Sequence, residues 1–187
     1  MTPALQAAYA GPHRRYHTLE HVEDCLRLLA GVQGLSAEER RVLEYAIWWH
    51  DAIYDPRRSD NEDRSAELAE RDLADRGEPP ELRAEVARLI RLTRGHAVGP
   101  GDRLGALMVS IDLSILGREP QAYDRYAAQV REEYGFVPDD AWRAGRAAVL
   151  RGFLDADHIY PDEAFRARFE AQARANIERE LAALAGG

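Results

Sequence analysis

Three short segments of this sequence carry histidine or aspartate in settings that suggest metal chemistry. In the first segment, His17 and His21 stand four residues apart, so that in a helix both imidazoles would project from one face. In the second, His50 and Asp51 are neighbours within an apolar run. In the third, Asp112 is the only charged residue of a hydrophobic stretch. Imidazole and carboxylate groups placed in this way are typical ligands of divalent cations.

A carboxylate within an apolar segment is costly to bury unless an opposite charge or a metal ion compensates it. Asp51 and Asp112 therefore need partners, which are either the histidines in a metal-free polar network or a cation that all of them share. Imidazoles combined with carboxylates suit Mn²⁺, Fe²⁺, Co²⁺, Ni²⁺ or Zn²⁺ better than Ca²⁺. Cys25 is the single cysteine, so neither a cysteine-type zinc site nor a disulfide within the chain can form.

Helices are the elements that must position these groups. Ala, Leu, Arg and Glu, all strong helix formers, dominate the sequence, and the alternation typical of strands is almost absent. Glycines and prolines separate the segments that have helical period. We therefore expect an all-α fold, a bundle of about eight helices in one domain over residues 1–187.

Capping signals predict where these helices begin and end. Ser36 followed by Glu39 forms a capping box, and it opens a helix that we expect to continue to about Tyr54. Asp102 caps a strongly apolar helix, which we expect to be central and buried. The segments most typical of helices are approximately 2–9, 18–29, 36–54, 60–76, 79–93, 103–116, 120–134, 138–154 and 161–184.

The charge balance limits the partners of the protein. The 33 acidic residues exceed the 25 lysines and arginines, and the net charge of −8 disfavours a protein that coats nucleic acid. A phosphate ligand remains compatible, because a bound cation can reverse the local field. No segment approaches the roughly 20 apolar residues of a membrane-spanning helix, and no signal peptide is recognisable. We predict a cytoplasmic protein without membrane association, and an oligomer is compatible with this sequence.

The order of the candidate ligands resembles the pattern of the HD-domain phosphohydrolase superfamily. In that pattern a histidine on an early helix is followed by a His-Asp pair on the next long helix and by a later lone Asp. The resemblance implies that His21, His50, Asp51 and Asp112 bind the metal within one HD-type domain. A small bacterial branch of predicted HD phosphohydrolases, which has no settled substrate, is similar over nearly the whole chain. That similarity is carried by the segments 50–56, 60–65, 93–96, 112–117 and 131–134.

The segment 16–21 also looks like a motif of the cyclic-nucleotide phosphodiesterases. There the first histidine donates a proton and the second binds metal, which implies that His17 is a general acid. The match is partial, because Thr18 stands where the motif usually has asparagine. The chain is also shorter than a phosphodiesterase catalytic domain, and the glutamine and aromatic clamp that hold a purine have no counterpart. Specificity for cyclic nucleotides is therefore not implied.

These features together predict an enzyme that hydrolyses a phosphomonoester or phosphodiester in a nucleotide-like small molecule. A divalent ion (Mn, Fe, Co, Ni, Zn or Mg) would activate water, and His17 would protonate the leaving oxygen. Asp51 would belong to the catalytic centre, and Glu62 would orient the water or His17. His96 is a candidate for a second metal or for contact with phosphate. The candidate phosphate-binding arginines are Arg64, Arg131 and Arg146.

Two other functions are compatible with the same residues. The first is a sensor that binds metal and nucleotide without turnover, although such a sensor would have no need of His17 as an acid. The second is a di-iron oxygenase, which some HD-fold proteins are. That chemistry needs further ligands for a second ion, and His96 is the only histidine that suits this role. The native metal and the number of ions stay open.

Overall fold

The computed structural model describes residues 3–186, which fold into nine α-helices and contain no strand. The helices are α1 (Pro3–Ala8), α2 (Leu19–Gly31), α3 (Ala37–Trp49), α4 (Asn61–Asp75), α5 (Pro80–Leu92), α6 (Arg103–Asp112), α7 (Pro120–Glu133), α8 (Asp139–Asp155) and α9 (Glu163–Gly186). A short 3₁₀ helix, Leu113–Gly117, follows α6. The predicted all-α class is therefore confirmed, with each predicted helix present.

The helix starts follow the capping signals of the sequence. Ser36 Oγ accepts from the backbone N–H of Glu39 at 3.1 Å, and the Glu39 carboxylate accepts from the backbone N–H of Ser36 at 2.7 Å. Asp102 accepts from the backbone N–H of Gly105 at 2.9 Å at the start of α6. These bonds satisfy backbone donors that the first turn of a helix leaves without a partner.

Helix α6 lies in the centre of the bundle. It packs against α2, α3, α5 and α9, so that helices surround it on several sides. Its apolar residues Leu107, Met108, Val109 and Ile111 are buried, as the sequence predicts. In the described part of the chain, every helix is either too short or too polar to cross a lipid bilayer.

The end of α3 differs from the sequence prediction, since the helix stops at Trp49 rather than Tyr54. The Nδ1 atom of His50 lies 2.8 Å from the backbone oxygen of Ile47, so the imidazole is hydrogen-bonded to a carbonyl group in the last turn of the helix. His50 and Asp51 consequently leave the helix end together in a turn. They do not project from the face of a continuous helix.

The end of α6 also differs, because the α-helix stops at Asp112 and tightens into the 3₁₀ helix instead of continuing to Leu116. Side chains from α9 and the segment before it bond to the carbonyl groups there. Tyr160 Oη donates to the oxygen of Leu113 at 3.1 Å, and Asn176 Nδ2 donates to that of Leu116 at 2.9 Å. Asp112 is thereby placed at a helix end, as His50 and Asp51 are.

Candidate metal centre

Four side chains from three distant segments converge on one point. The Nε2 atoms of His21 and His50 are 3.1 Å apart. Asp112 Oδ1 lies 3.2 Å from Nε2 of His21 and 3.5 Å from Nε2 of His50. Asp51 Oδ2 lies 3.0 Å from Nε2 of His50 and 3.9 Å from Nε2 of His21. The four residues that the HD resemblance singles out are therefore neighbours in space.

The separations of these atoms fit a shared cation. Two ligands that each stand about 2.1 Å from an ion are about 3.0 Å apart at a right angle and about 3.4 Å apart at the tetrahedral angle. The observed values of 3.0 to 3.9 Å lie in and just above that range. His21, His50 and Asp51 alone offer three ligand atoms within 4.8 Å of one another. Nitrogen and carboxylate donors of this kind suit a divalent transition metal.

Hydrogen bonds on the far side of each imidazole orient it toward this point. His50 Nδ1 faces the backbone oxygen of Ile47 at 2.8 Å, so Nδ1 must carry the proton there. His21 Nδ1 lies 3.0 Å from the hydroxyl oxygen of Tyr16, which can accept a hydrogen bond from Nδ1 in the same way. With Nδ1 of each ring hydrogen-bonded in this way, Nε2 is the nitrogen that faces the centre and could bind a metal ion, as metal-binding histidines require.

The charges of the centre favour a cation. Burial alone would raise the pKa of the Asp51 and Asp112 carboxyls, but the neighbouring histidines hold both pKa values below their usual range. Burial lowers the pKa of His50, yet the two carboxylates raise it well above its ordinary value. The centre therefore retains positive charge as protons on imidazole. A metal ion would replace those protons, so its binding should weaken at low pH.

His17 lies in the loop before α2, which begins at Leu19, so the expected shared helical face with His21 is wrong. The two imidazole rings are nevertheless close, with their centroids 6.3 Å apart. The loop is fixed by the buried Arg14, whose guanidinium donates to the backbone oxygen of His17 at 2.8 Å and to that of Ala52 at 3.1 Å. Arg14 thus joins the loop of His17 to the turn that carries the His-Asp pair.

Glu133, at the end of α7, is a buried carboxylate that the sequence analysis did not select. Its Oε2 atom lies 2.6 Å from Nδ1 of His17 and accepts from the Tyr54 hydroxyl at 2.8 Å. Its Oε1 atom accepts from three successive backbone N–H groups, those of residues 15–17, at 2.7 to 3.1 Å. The Tyr54 ring also stacks on His17, with a centroid distance of 4.2 Å. One carboxylate therefore fixes both the loop and the imidazole.

The same contacts make His17 and Glu133 an ion pair. Burial would raise the pKa of Glu133, but the hydrogen bonds from His17 and from the backbone lower it to about 2. Burial lowers the pKa of His17, but the charge of Asp51 and the bond to Glu133 outweigh it, so the pKa of His17 is raised. Nδ1 of His17 is hydrogen-bonded to Glu133, which leaves Nε2 as the ring nitrogen available to a ligand.

We predict that Glu133→Gln lowers the free energy of unfolding of the metal-free protein by about 1.5–3 kcal/mol near pH 5.5. The amide would present a donor to Nδ1 and would favour the neutral imidazole. The contribution of Glu133 is complete above its unfolded pKa of about 4.3 and is lost as the pH falls toward 2. The contribution of His17 is complete below about 6.5 and is lost as the pH rises through its raised pKa.

Urea denaturation at pH 3, 5.5 and 9 measures this difference between the two proteins. Glu132→Gln, which alters the exposed neighbouring acid that pairs with Arg15, is the matched control. We expect the largest loss for Glu133→Gln at pH 5.5 and a smaller one at both extremes. An equal loss at all three pH values would contradict the ion pair.

A cavity of about 470 Å³ opens beside the centre. Its lining includes the candidate ligands Asp51 and Asp112 together with His17, Glu62 and His96, so most of the predicted site residues line one cavity. Aromatic rings form much of its wall, from Tyr16, Tyr54, Tyr126, Tyr134 and Phe153.

Two of the predicted phosphate-binding arginines lie outside this cavity. Arg64 is exposed on α4 and is not part of the cavity lining. Arg131 donates to the backbone oxygen of Tyr134 at 2.8 Å and pairs with Asp139 at 2.6 Å, so it binds the carbonyl end of its own helix. Neither guanidinium group therefore lines the cavity beside the candidate metal centre, where the sequence analysis expected contact with phosphate.

The arginines that do line the cavity are paired with acids of this chain. Arg146, the third predicted residue, contacts Glu180 at 2.8 and 3.1 Å. The sequence analysis did not select Arg58 and Arg94, which pair with Asp60 at 2.5 Å and with Asp63 at 3.0 Å. The guanidinium charges around the cavity are therefore largely balanced before any ligand binds.

His96 approaches the centre from another side. Its Nε2 atom lies 3.4 Å from Oδ2 of Asp112, while Oδ1 of the same carboxylate faces His21 and His50. The backbone of His96 has a φ of +55°, a conformation that side chains other than glycine adopt at some cost in energy. One oxygen of Asp112 thus faces His21 and His50, and the other faces His96. His96 is therefore placed where it could contact a ligand or a second ion.

No family model, curated protein or solved structure matches this chain. Functional assignment consequently rests on the geometry described above and on the resemblance of the sequence motifs.

Proposed function

We propose that this chain is a metal-dependent phosphohydrolase of the HD type, which hydrolyses a phosphate ester of a nucleotide-like small molecule. The proposal is carried by the convergence of the His21 and His50 imidazoles with the Asp51 and Asp112 carboxylates, whose oxygens lie 3.0 to 3.9 Å from the imidazole Nε2 atoms, next to a cavity that His17 also lines. We further propose that the reaction is cytoplasmic, since the chain has a single cysteine and its thiol is buried and free.

The donor set fits Mn²⁺, Fe²⁺, Co²⁺, Ni²⁺ or Zn²⁺, and Mg²⁺ is a further candidate. His21, His50, Asp51 and Asp112 would hold the ion. When bound, a divalent cation activates water for attack on phosphorus and offsets negative charge on the phosphoryl oxygens.

The residues of the chain supply proton transfer and positioning. Glu133 keeps the His17 imidazole charged and directs its Nε2 atom away from α7, so that His17 can donate a proton to the departing oxygen. Glu62 lines the same cavity, where it can orient the attacking water. Aromatic walls favour a substrate with a flat organic group such as a nucleoside.

The ion pairs of the arginines around the cavity limit how much negative charge a substrate can carry. Because Arg58, Arg94 and Arg146 already have acidic partners, few cationic groups remain to balance a chain of several phosphates. The cation and the His17 imidazolium can balance one phosphoryl group. We therefore favour a phosphomonoester or a phosphodiester over a polyphosphate as the substrate.

A second candidate is a di-iron oxygenase. One observation favours it: Nε2 of His96 lies 3.4 Å from Oδ2 of Asp112, the carboxylate oxygen that does not face His21 and His50. That carboxylate could bridge two ions. A second ion would have His96 as its only imidazole ligand among the groups described, which is fewer than such an oxygenase typically uses. We therefore rank it below hydrolysis.

The test is a panel of phosphate esters assayed with each metal. Aryl phosphates, nucleoside monophosphates and cyclic nucleotides would be incubated with purified protein and Mn²⁺, Co²⁺, Ni²⁺ or Mg²⁺. We expect turnover of at least one ester, loss of turnover after chelation, and recovery when the metal is restored.

Other outcomes would contradict the proposal. A folded, metal-loaded protein that binds a nucleotide without consuming it would be a sensor. Two irons per chain with an oxygen-sensitive absorbance band, after purification without air, would indicate the oxygenase.

A further inference from the structure

A second cleft, larger than the cavity at the metal centre, lies elsewhere on the bundle. It has a volume of about 670 Å³ and is formed by the end of α2, by α6, by the residue after the 3₁₀ helix and by the start of α9. We call it the α2–α9 cleft. It shares no lining residue with the cavity of the metal centre. Its volume lies within the range that holds small organic ligands.

Positive charge is concentrated in the α2–α9 cleft, although the chain as a whole has a net charge of −8. Its lining contains Arg27, Arg103, Arg118 and Arg168. Asp162 is the one acid in that lining, and its carboxylate accepts from the backbone N–H of Phe165 at 3.0 Å. A concave surface with this excess of one charge attracts ions of the opposite sign.

Two of the four guanidinium groups have no acidic partner within residues 3–186. The guanidinium groups of Arg118 and Arg168 lie over the ring of Phe169, at 5.7 and 4.7 Å from its centroid. Neither guanidinium makes a hydrogen bond or an ion pair within the described residues. Arg27 and Arg103, in contrast, pair with Asp24 and Glu39. A planar guanidinium held against an aromatic ring, with its N–H groups free, is well suited to bind a phosphate group.

The floor of the cleft is apolar. Phe165, Phe169 and Leu107 are buried and form part of its lining, next to the partly exposed Leu28 and Val32. An inorganic ion would contact only the arginines. A ligand with an organic group attached to its phosphates could in addition cover the apolar floor.

We propose that the α2–α9 cleft binds a small organic molecule with two or more phosphate charges, at a site separate from the metal centre. The charge excess, the free guanidinium groups and the apolar floor together support this class of ligand. The cleft is walled by α2 and α6, the helices that also carry His21 and Asp112. Gly31 in the cleft is ten residues from His21, which corresponds to about 15 Å along α2.

Calorimetric titration of the metal-free 187-residue chain with ADP tests the proposal. We expect saturable binding of one ADP per chain and weaker binding of pyrophosphate, which lacks the organic group. The double variant Arg118→Gln with Arg168→Gln should bind ADP at least about tenfold more weakly, because it removes both free guanidinium groups. Circular dichroism and thermal melting would establish that the variant is folded.

The matched control is the double variant Arg71→Gln with Arg151→Gln, which removes two exposed arginines that do not line the cleft. It should leave ADP affinity within about twofold of the wild type, since neither arginine lines the cleft and the charges of exposed side chains are screened by salt. Equal weakening in both double variants would show that only net charge matters and would overturn the proposal. Absence of ADP binding, or binding that the cleft variant leaves unchanged, would overturn it as well.

Discussion

Replacement of Asp51 by Ala is expected to remove the bound metal ion and to lower the hydrolysis of phosphate esters by more than about 100-fold. Loss of an outer hydrogen-bond partner of a metal ligand already reduces metal affinity or activity by about 10- to 100-fold. Asp51 is expected to be a direct ligand, with its Oδ2 atom 3.0 Å from Nε2 of His50, so its loss should exceed that range. The variant also loses a carboxylate that favours the cation electrostatically.

Metal content after dialysis, measured by plasma mass spectrometry, is the primary readout for Asp51→Ala. Thermal melting with added Mn²⁺ is the second, because an ion that binds only the folded state raises the melting temperature. Asp157→Ala, which removes an exposed aspartate that is not part of the cavity lining, is the control and should retain the ion. Full metal content and unchanged turnover in Asp51→Ala would contradict the proposed centre.

The ligand set is the part of the site that the sequence predicts best. Asp51 and Asp112 are charged residues in apolar surroundings, and this local conflict is visible without any knowledge of the fold. Because such groups require compensation, their meeting with His21 and His50 follows from energetics as well as from the resemblance. The sequence does not predict where α3 and α6 end, and these two helix ends place His50, Asp51 and Asp112. The end of α6 depends on carbonyl groups that accept hydrogen bonds from distant side chains, those of Tyr160 and Asn176. The end of α3 depends on the bond between His50 and the backbone oxygen of Ile47.

Glu133 was missed because nothing distinguishes it by type from its neighbour Glu132. Within the pair, the Glu132 side chain is 62% exposed and that of Glu133 is fully buried. One signal was available in the spacing. Tyr123, Tyr126 and Val130 form the apolar stripe of α7, and Glu133 continues it three residues later. An acid on the buried face of a helix requires a partner, and here the partner is His17, from a loop 116 residues away in sequence.

The sequence offers no comparable signal for the arginines that would contact a phosphate. Their charge is compatible with many surroundings, and their partners are set by tertiary packing. Arg146 is neutralised by Glu180, 34 residues away, whereas Arg118 and Arg168 remain free over Phe169. No local pattern separates a paired arginine from a free one, so the sequence alone does not identify the arginines that line the cavity.

The second large effect is expected for His17→Gln, which should lower turnover by about 10²- to 10⁴-fold for esters with a poor leaving group. The loss should be far smaller for p-nitrophenyl phosphate, because a nitrophenolate departs without needing a proton. In the wild type, the rate with alkyl esters should fall as the pH rises through the raised pKa of His17, since the acid loses its proton. The variant should lack that alkaline decrease. Initial rates for both classes of ester between pH 5 and 10 give all of these quantities.

The His17→Gln variant must also retain its metal ion, because otherwise a lower rate would not show that His17 acts as the general acid. His17 is not expected to be a ligand, so the metal content of the variant should match that of the wild type and should separate it from Asp51→Ala. His13→Gln, which changes an exposed histidine whose ring contacts Tyr54, is the matched control and should leave the rates nearly unchanged. A loss of equal size for alkyl and nitrophenyl esters would contradict proton donation. It would indicate instead that His17 serves to shape the loop between Glu133 and the metal ligands.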